Sequence, residues 1–256
     1  MKILLCQCDI AWGDVDSNLL SIERMVESES REIEMIILPE MFSTGFCTEP
    51  EGVAECVEGK SFRWMRELAL RKGCAVVGSV ATEESGRYYN RLYFVYPDGS
   101  YLKYDKRHLF TYGGEHHHYT AGTEQAVAEY KGWRVALHVC YDLRFPVFSR
   151  NRDNYDMAIY IASWPSSRLY AWNTLLKARA IENLAYVAGV NRVGDDPKCS
   201  YSGGTLLADF MGGVIGEASP GNVSTVYADL DMESLKQFRN RFPALKDGDN
   251  FVIIDN

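Results

Sequence analysis

Trp133-Arg-Val-Ala-Leu-His-Val139, followed at once by Cys140-Tyr-Asp-Leu-Arg-Phe-Pro146, changes character at a single residue. The first half is an apolar run of strand type and the second a polar turn that can open a helix. A cysteine at this junction, facing backbone N–H groups and a helix N-terminus, is expected to have its thiolate favoured over its thiol. That is the setting of a nucleophile. The alternative is a small buried residue closing a strand, since cysteine is among the most buried residue types.

Working outward, Lys131-Gly132 separates this strand from residues 126–130, which reads as a hairpin. Residues 157–163 form a strand, 170–184 a helical stretch and 186–191 another strand, with further strands near 204–210 and 225–230. On the N-terminal side, residues 2–9 read as a strand. A helix covers 18–30 with Leu19, Ile22, Met25 and Val26 on one face and Asp16 or Ser17 as its cap. Residues 35–38 form a buried strand ending at Pro39-Glu40. A helix capped by Ser61 stops at Gly73, and 75–81 is the next strand. Residues 87–96 and 101–105 flank the turn Pro97-Asp98-Gly99-Ser100 as a second hairpin. Mixed sheets covered by helices follow, an α/β class. With no repeat and no flexible linker, residues 1–256 are expected to form one domain.

The composition agrees. A chain of 256 residues with 46% hydrophobic and 24% charged residues has the length to bury a large core. Its net charge of -8 is spread over mixed-sign segments, unlike the basic footprint of a nucleic-acid binder. No run approaches the roughly 20 apolar residues of a membrane helix, so a soluble cytoplasmic protein is expected. The seven cysteines form an odd set without CxxC spacing, as expected of reduced thiols.

Two more residues sit where chemistry needs them. Glu40 directly follows the strand Met35-Ile-Ile-Leu38 and Pro39, at a carboxyl end where open α/β sheets commonly place functional groups; there it can serve as general base. Lys106, in Lys103-Tyr-Asp-Lys-Arg-His-Leu-Phe110, lies just past a hairpin strand, where an ammonium can stabilise a thiolate and a developing oxyanion together. Taken singly, each is equally an exposed acid or part of a solvated charge run.

Together their contexts resemble the three signature segments of the nitrilase (carbon-nitrogen hydrolase) superfamily, in that family's order of Glu, Lys and Cys. Leu38-Pro-Glu-Met-Phe42 resembles the glutamate segment, Tyr104-Asp-Lys-Arg-His-Leu-Phe110 the lysine segment and Cys140-Tyr-Asp-Leu-Arg-Phe-Pro146 the nucleophile elbow. The likeness continues through Ile161-Ala-Ser-Trp-Pro165, Ala178-Arg-Ala-Ile-Glu-Asn183 and Val190-Asn-Arg-Val-Gly194.

The resemblance implies a four-layer α-β-β-α sandwich, catalysis by Glu40, Lys106 and Cys140, and a homodimer with contacts from the C-terminal tail. It implies a supporting role for Glu115 beside the lysine, and an oxyanion contact from the Tyr141 backbone N–H. No metal and no organic cofactor are called for; His116, His117 and His118 are consecutive and ill-placed to converge on one ion. Arg144 is expected to brace the turn through carboxylates, and Arg179 and Glu182 to be structural. Among family branches the nearest likeness is to bacterial omega-amidases, which implies 2-oxoglutaramate or 2-oxosuccinamate as the small-molecule amide, with water as co-substrate. Ser163 and Trp164 are expected as pocket walls, and Arg168, Lys177 or Arg192 as counter-charge for a distal carboxylate. Another amidase, a nitrilase, an N-carbamoyl hydrolase or a silent scaffold stays open.

Overall fold

The computed structural model describes residues 1–254. The first half of the chain runs β1 (Lys2–Gln7), α1 (Val15–Glu27), β2 (Met35–Ile37), β3 (Glu55–Cys56), α2 (Lys60–Lys72), β4 (Ala75–Glu84), β5 (Arg87–Val95) and β6 (Tyr101–Asp105). Next come β7 (Val127–Tyr130), β8 (Trp133–Val139), a single 3-10 turn (Cys140–Arg144), β9 (Met157–Ala162), α3 (Leu169–Asn183) and β10 (Tyr186–Asn191). The last part holds β11 (Val193–Asp195), β12 (Ser200–Ser202), β13 (Leu206–Ala208), β14 (Val214–Glu217), β15 (Ser224–Asp229) and α4 (Met232–Arg241).

Two large sheets result. One has the order β15-β1-β2-β4-β5-β6, with β3 also pairing with β4, and the other β14-β13-β10-β9-β8-β7. Each has a parallel centre (β1-β2-β4 and β8-β9-β10) and antiparallel flanks. Parallel neighbours need a crossover, which α1 supplies between β1 and β2, α2 between β2 and β4, and α3 between β9 and β10.

The period-two alternation of the strands sorts their side chains into layers. Ile3, Leu5, Ile37, Val77 and Phe94 from the first sheet meet Val135, Leu137, Ile159, Ile161 and Val190 from the second in one core between the sheets. The alternate residues Leu4, Cys6, Ile36 and Val76 face Ile22 and Val26 of α1 and Met65 and Leu68 of α2. Ala136, Ala158, Tyr160 and Ala162 pack in the same way under Trp172, Leu176 and Ala180 of α3. The α-β-β-α sandwich is therefore present, and its central strands are apolar on both faces because both are covered. Gly189 lets α3 approach closely: a Cβ there would stand 2.2 Å from Leu176 Cδ1.

Two expectations need correction. The cap of α1 is Asp14, whose carboxylate accepts the Ser17 amide at 3.1 Å, because residue 14 is the last outside helical geometry. The cap of α2 is Gly59; Ser61 lies inside the first turn, its amide and hydroxyl both donating to Glu55, at 2.7 and 2.5 Å. Gly73 does end α2, at φ 64°. Helix α4 was not anticipated: it is polar, burying only Leu235, and closes one edge of the inter-sheet core. No helix among the described residues is long and apolar enough to cross a membrane.

Ile159, fully buried at the centre of the sandwich, should lose about 3 kcal/mol on Ile159→Ala through lost transfer energy and the cavity left behind. Leu20→Ala on the exposed side of α1 should change stability by less than about 0.5 kcal/mol. Urea midpoints at constant slope measure both.

Candidate active site

The sandwich brings strand ends and the loops after them to one place. Glu40 lies just past β2, and Met41 behind it takes φ 45°, its amide donating to Ser79 Oγ at 2.9 Å. Lys106 follows β6, its amide bonded to the Asn90 carbonyl of β5 at 3.0 Å. Cys140 directly follows β8, and Ser163 and Trp164 follow β9. Glu115 returns on the loop beyond Lys106.

The Lys106 ammonium donates to Glu40 Oε1 at 2.9 Å and to both oxygens of Glu115, at 3.1 and 2.9 Å. All three side chains are 0% exposed. Asn90 Nδ2 bridges the two acids, donating to Glu40 Oε1 at 2.8 Å and Glu115 Oε1 at 3.1 Å. Glu40 Oε2 accepts the Ser163 amide at 2.8 Å, and Glu115 Oε2 the Phe110 amide at 2.6 Å. The structure thus brings Glu40, Lys106, Glu115 and Ser163 into one network beside Cys140.

The charge states follow from this packing. Burial pulls the Lys106 ammonium towards neutrality, but the Glu115 and Glu40 carboxylates outweigh it and hold the lysine pKa well above the usual lysine range. Burial raises the Glu115 carboxyl, against the pull of Lys106 and with the added push of Glu40. The Cys140 thiol is pushed well above the usual cysteine range, by burial first and by the Glu40 charge second, with Lys106 opposing. The expectation of a resting thiolate is therefore overturned. The turn after Cys140 is five residues of 3-10 helix, too short for a strong dipole, and a carboxylate stands closer to hand.

Cys140 takes φ 48°, left-handed backbone that a non-glycine residue holds at a cost of about 1–2 kcal/mol. Its turn is tied down by the Phe145 amide donating to the Asp142 carbonyl at 3.0 Å, and by Arg179 Nη2 of α3 donating to the Leu143 carbonyl at 2.6 Å. Arg179 also pairs with Glu182 at 2.9 Å. Both are structural, as expected.

Above Cys140 opens a cavity of about 410 Å³, walled by Lys106, Phe110, Tyr141, Ser163, Trp164 and the loop that carries Lys198 and Cys199. That volume suits a small ligand. Three cations stand around it. Arg144 is exposed, its guanidinium 5.0 Å over the Trp164 ring, and among the described residues it braces no carboxylate. Arg168 lies 5.3 Å over Phe110, and Lys198 donates to Thr48 Oγ1 at 3.2 Å. None of the three is in an ion pair among the described residues. Lys177 is exposed on α3 away from the cavity, and Arg192 is buried with Nη2 on the carbonyls of Ile10 and Asp195; neither lines it. His116, His117 and His118 are exposed on the surface of the Glu115 loop.

Sequence reading missed Asn90, although a polar amide in the aromatic run Arg87–Val95 is a departure from strand composition that marks it. It also missed Arg144 and Lys198 as cavity residues, since no local pattern tells a brace from a wall.

This architecture and site define a class of enzyme. A carbon-nitrogen hydrolase family model matches residues 2–240, and the chain belongs to that family, whose members hydrolyse carbon-nitrogen bonds. The chain is 45% identical to the omega-amidase YafV of Yersinia enterocolitica over 255 residues, 99% of each chain. It is 32% identical to a 2-oxoglutaramate amidase of Bacillus subtilis, covering 94% of this chain and 95% of the other. Among solved structures, the CN-hydrolase superfamily protein XC1258 of Xanthomonas campestris, which carries an arsenic adduct in its active site, superposes with a TM-score of 0.96 at 42% identity, covering 99% and 98% of the two chains.

Two titrations test the electrostatics. The rate of Cys140 alkylation by iodoacetamide should reach its plateau at lower pH in Glu40→Gln than in the unsubstituted protein, because an anion that raises the thiol pKa is removed; an unchanged or upward-shifted profile contradicts this ordering of charges. His138, beneath the turn, is buried and stacked 4.7 Å from Tyr160, with neither ring nitrogen hydrogen-bonded among the described residues. Burial pushes its pKa down to about 4, against the pull of Asp142. The unfolded chain takes up that proton near pH 6.5, so the stability gained by keeping His138 neutral is complete above 6.5 and lost as pH falls towards 4. In His138→Phe the drop in unfolding free energy between pH 7 and pH 4 should shrink by about 3 kcal/mol.

Proposed function

We propose that the chain is an omega-amidase that hydrolyses the terminal amide of 2-oxoglutaramate or 2-oxosuccinamate, through Cys140 as nucleophile, Glu40 as general base and Lys106 as electrostatic stabiliser. The observation that carries this reading is the cavity itself: the Cys140 thiol and the Lys106 ammonium in its lining, the buried Glu40 and Glu115 carboxylates bonded to that ammonium, and Arg144, Arg168 and Lys198 on its walls with no ion pair among the described residues, against one wall carboxylate, Asp196, which accepts from the Lys198 and Cys199 amides.

Cys140 rests as a thiol, so attack on the amide carbon requires a base at the moment of reaction, and Glu40 takes the proton. The tetrahedral oxyanion is received by the Lys106 ammonium and the Tyr141 backbone N–H. Glu40 returns the proton to the departing ammonia, leaving a thioester. The same carboxylate then deprotonates water, which attacks the thioester carbon and releases the 2-oxo dicarboxylate and the thiol. Glu115 and Asn90 hold Lys106 and Glu40 in place throughout. No metal or organic cofactor enters these steps.

The wall cations address the other end of the substrate. A guanidinium pairs a carboxylate in a planar fork, and Arg144 on the Trp164 ring is placed to do so. Three positive groups also repel the α-ammonium of glutamine, which 2-oxoglutaramate lacks. This charge pattern supports the omega-amidase reading over an amidase for neutral amides, a nitrilase or an N-carbamoyl hydrolase.

The same reading includes a cytoplasmic homodimer. All seven cysteines are free thiols, as a reducing compartment keeps them. Tyr170 and Ile181 on α3 and Met211, whose loop neighbour Gly212 abuts Ile181, stand exposed as an apolar patch suited to a second copy. Val252 and Ile254 in the C-terminal tail are exposed as well.

Ammonia release from 2-oxoglutaramate, glutamine, a neutral amide, a nitrile and a carbamoyl amino acid provides the test. Turnover should be greatest on 2-oxoglutaramate and abolished in Cys140→Ala. In Arg144→Met the KM for 2-oxoglutaramate should rise about tenfold or more, with the neutral amide little affected. Full turnover in Cys140→Ala would end the nucleophile assignment, and equal rates on neutral amides would end the substrate assignment.

A further inference from the structure

The Asp142 carboxylate, two residues past Cys140, is completely buried and accepts four hydrogen bonds. One comes from its own turn: the Val139 amide donates to Oδ2 at 2.9 Å. The other three come from the lysine segment. Tyr104 Oη donates to Oδ2 at 2.7 Å, the His108 amide to Oδ1 at 3.1 Å and His108 Nδ1 to Oδ1 at 2.7 Å. Tyr104 and His108 are the residues two before and two after Lys106. The Tyr104 hydroxyl also accepts the Arg107 amide at 3.3 Å, so the strand end holding Lys106 is fastened on both sides of the lysine.

His108 adds a packing contact to the same joint. Its ring lies flat on Phe145, the residue that ends the nucleophile turn, with centroids 3.9 Å apart and planes within 5°. Because an ionised carboxylate only accepts, Nδ1 of His108 carries a proton, and its other nitrogen need not join the contact. The turn itself holds Cys140 in left-handed backbone, a conformation that persists only where its surroundings over-determine it.

A turn-closing aspartate needs only the bonds to its own amides. Asp142 instead spends three of its four acceptor contacts on a segment 34 to 38 residues away in sequence. From this distribution we propose that Asp142 is a positioning residue for the reaction: through Tyr104 and His108 it fixes where the Lys106 ammonium stands relative to the Cys140 sulfur. The inference rests on the proposed roles of Cys140 and Lys106. It assigns to Asp142, Tyr104 and His108 no contact with substrate, and Arg144, next in the turn but one, remains free to face the cavity.

Misalignment of about 1 Å between reacting groups can slow a reaction about a hundredfold while leaving binding intact. Tyr104→Phe removes a single oxygen and His108→Gln a ring with its donor, so both are expected to fold even where Asp142→Asn does not. Each should lower kcat for 2-oxoglutaramate about tenfold, with KM within about twofold, and each should slow iodoacetamide alkylation of Cys140 in parallel. In Asp142→Asn the loss in kcat should approach a hundredfold, and Tyr104→Phe added to it should lower kcat no further, since the two act through one joint.

A structural role alone predicts a lower melting temperature with unchanged kcat in the folded variants. If Tyr104→Phe and His108→Gln both keep kcat within twofold of the unsubstituted protein, the proposal is overturned, whatever Asp142→Asn does. Cys140→Ala measured alongside separates the two levels of inference. Full turnover there removes the nucleophile assignment itself; an inactive Cys140→Ala beside unaffected Tyr104→Phe and His108→Gln removes only the positioning role.

Discussion

The Lys106 ammonium, without solvent exposure and held between the Glu40 and Glu115 carboxylates, is the constraint around which the rest of the molecule is arranged. A buried charge is tolerable only when paired and fully hydrogen-bonded, and removal of one partner from such a set costs about 3–5 kcal/mol. The three groups come from three separate segments, and the amides that complete their hydrogen bonding come from Asn90, Phe110 and Ser163. Only when both sheets are in register do these six pieces meet. The same feature that makes the site chemically useful therefore makes it part of the fold's own specification.

This explains why so much was legible and where legibility stopped. The central strands could be read because burial on both faces leaves them as unbroken apolar runs, and β8 and β9 end where the run ends. Glu40 and Cys140 were legible because each stands at the end of such a run, and Lys106 because it lies just past a hairpin strand. Residues that act across the sandwich left fainter traces. Asn90 is one amide in the middle of a strand; Arg144 is spaced like a brace and stands as a wall; Lys198 lies on a hairpin loop with no pattern of its own. Helix α4 escaped because its apolar stripe is narrow, Met232, Leu235 and Phe238 on the inter-sheet core, and is set in an otherwise polar segment. The caps at Asp14 and Gly59 lie two or three residues before the expected ones, since capping depends on where helical geometry begins and several polar residues qualified.

The Cys140 protonation state shows why local sequence could not settle the electrostatics. Reading the turn as a helix N-terminus gave a favoured thiolate, but the 3-10 turn is short and the nearest formal negative charge, Glu40, comes from a residue 100 positions earlier in the chain. Burial and that carboxylate together exceed the pull of Lys106. A thiol that stays protonated at rest is spared unwanted chemistry, and a base already bonded to Lys106 and Asn90 can take its proton without moving far. Reactivity then depends on alignment more than on a standing population of thiolate, which is why a joint such as Asp142, shared by the turn and the lysine segment, carries weight.

The cavity also has a direction. Its floor presents Cys140 and Lys106, with the Glu40 and Glu115 carboxylates buried behind the ammonium, and its walls hold three cations without an ion pair among the described residues against one carboxylate, Asp196, in a chain whose net charge is -8. A doubly ended substrate with a neutral amide and an anionic carboxylate is stable in that field in one orientation: the carboxylate among Arg144, Arg168 and Lys198, the amide beside Cys140. Reversed, it would set a carboxylate against Glu40 and leave the wall cations facing an amide. Hydrolysis changes this balance, because the product places a second carboxylate at the acidic floor just as the neutral amide disappears. On the proposed reading, the floor that disfavours a reversed substrate also disfavours the finished product, and specificity and release draw on one arrangement of charge.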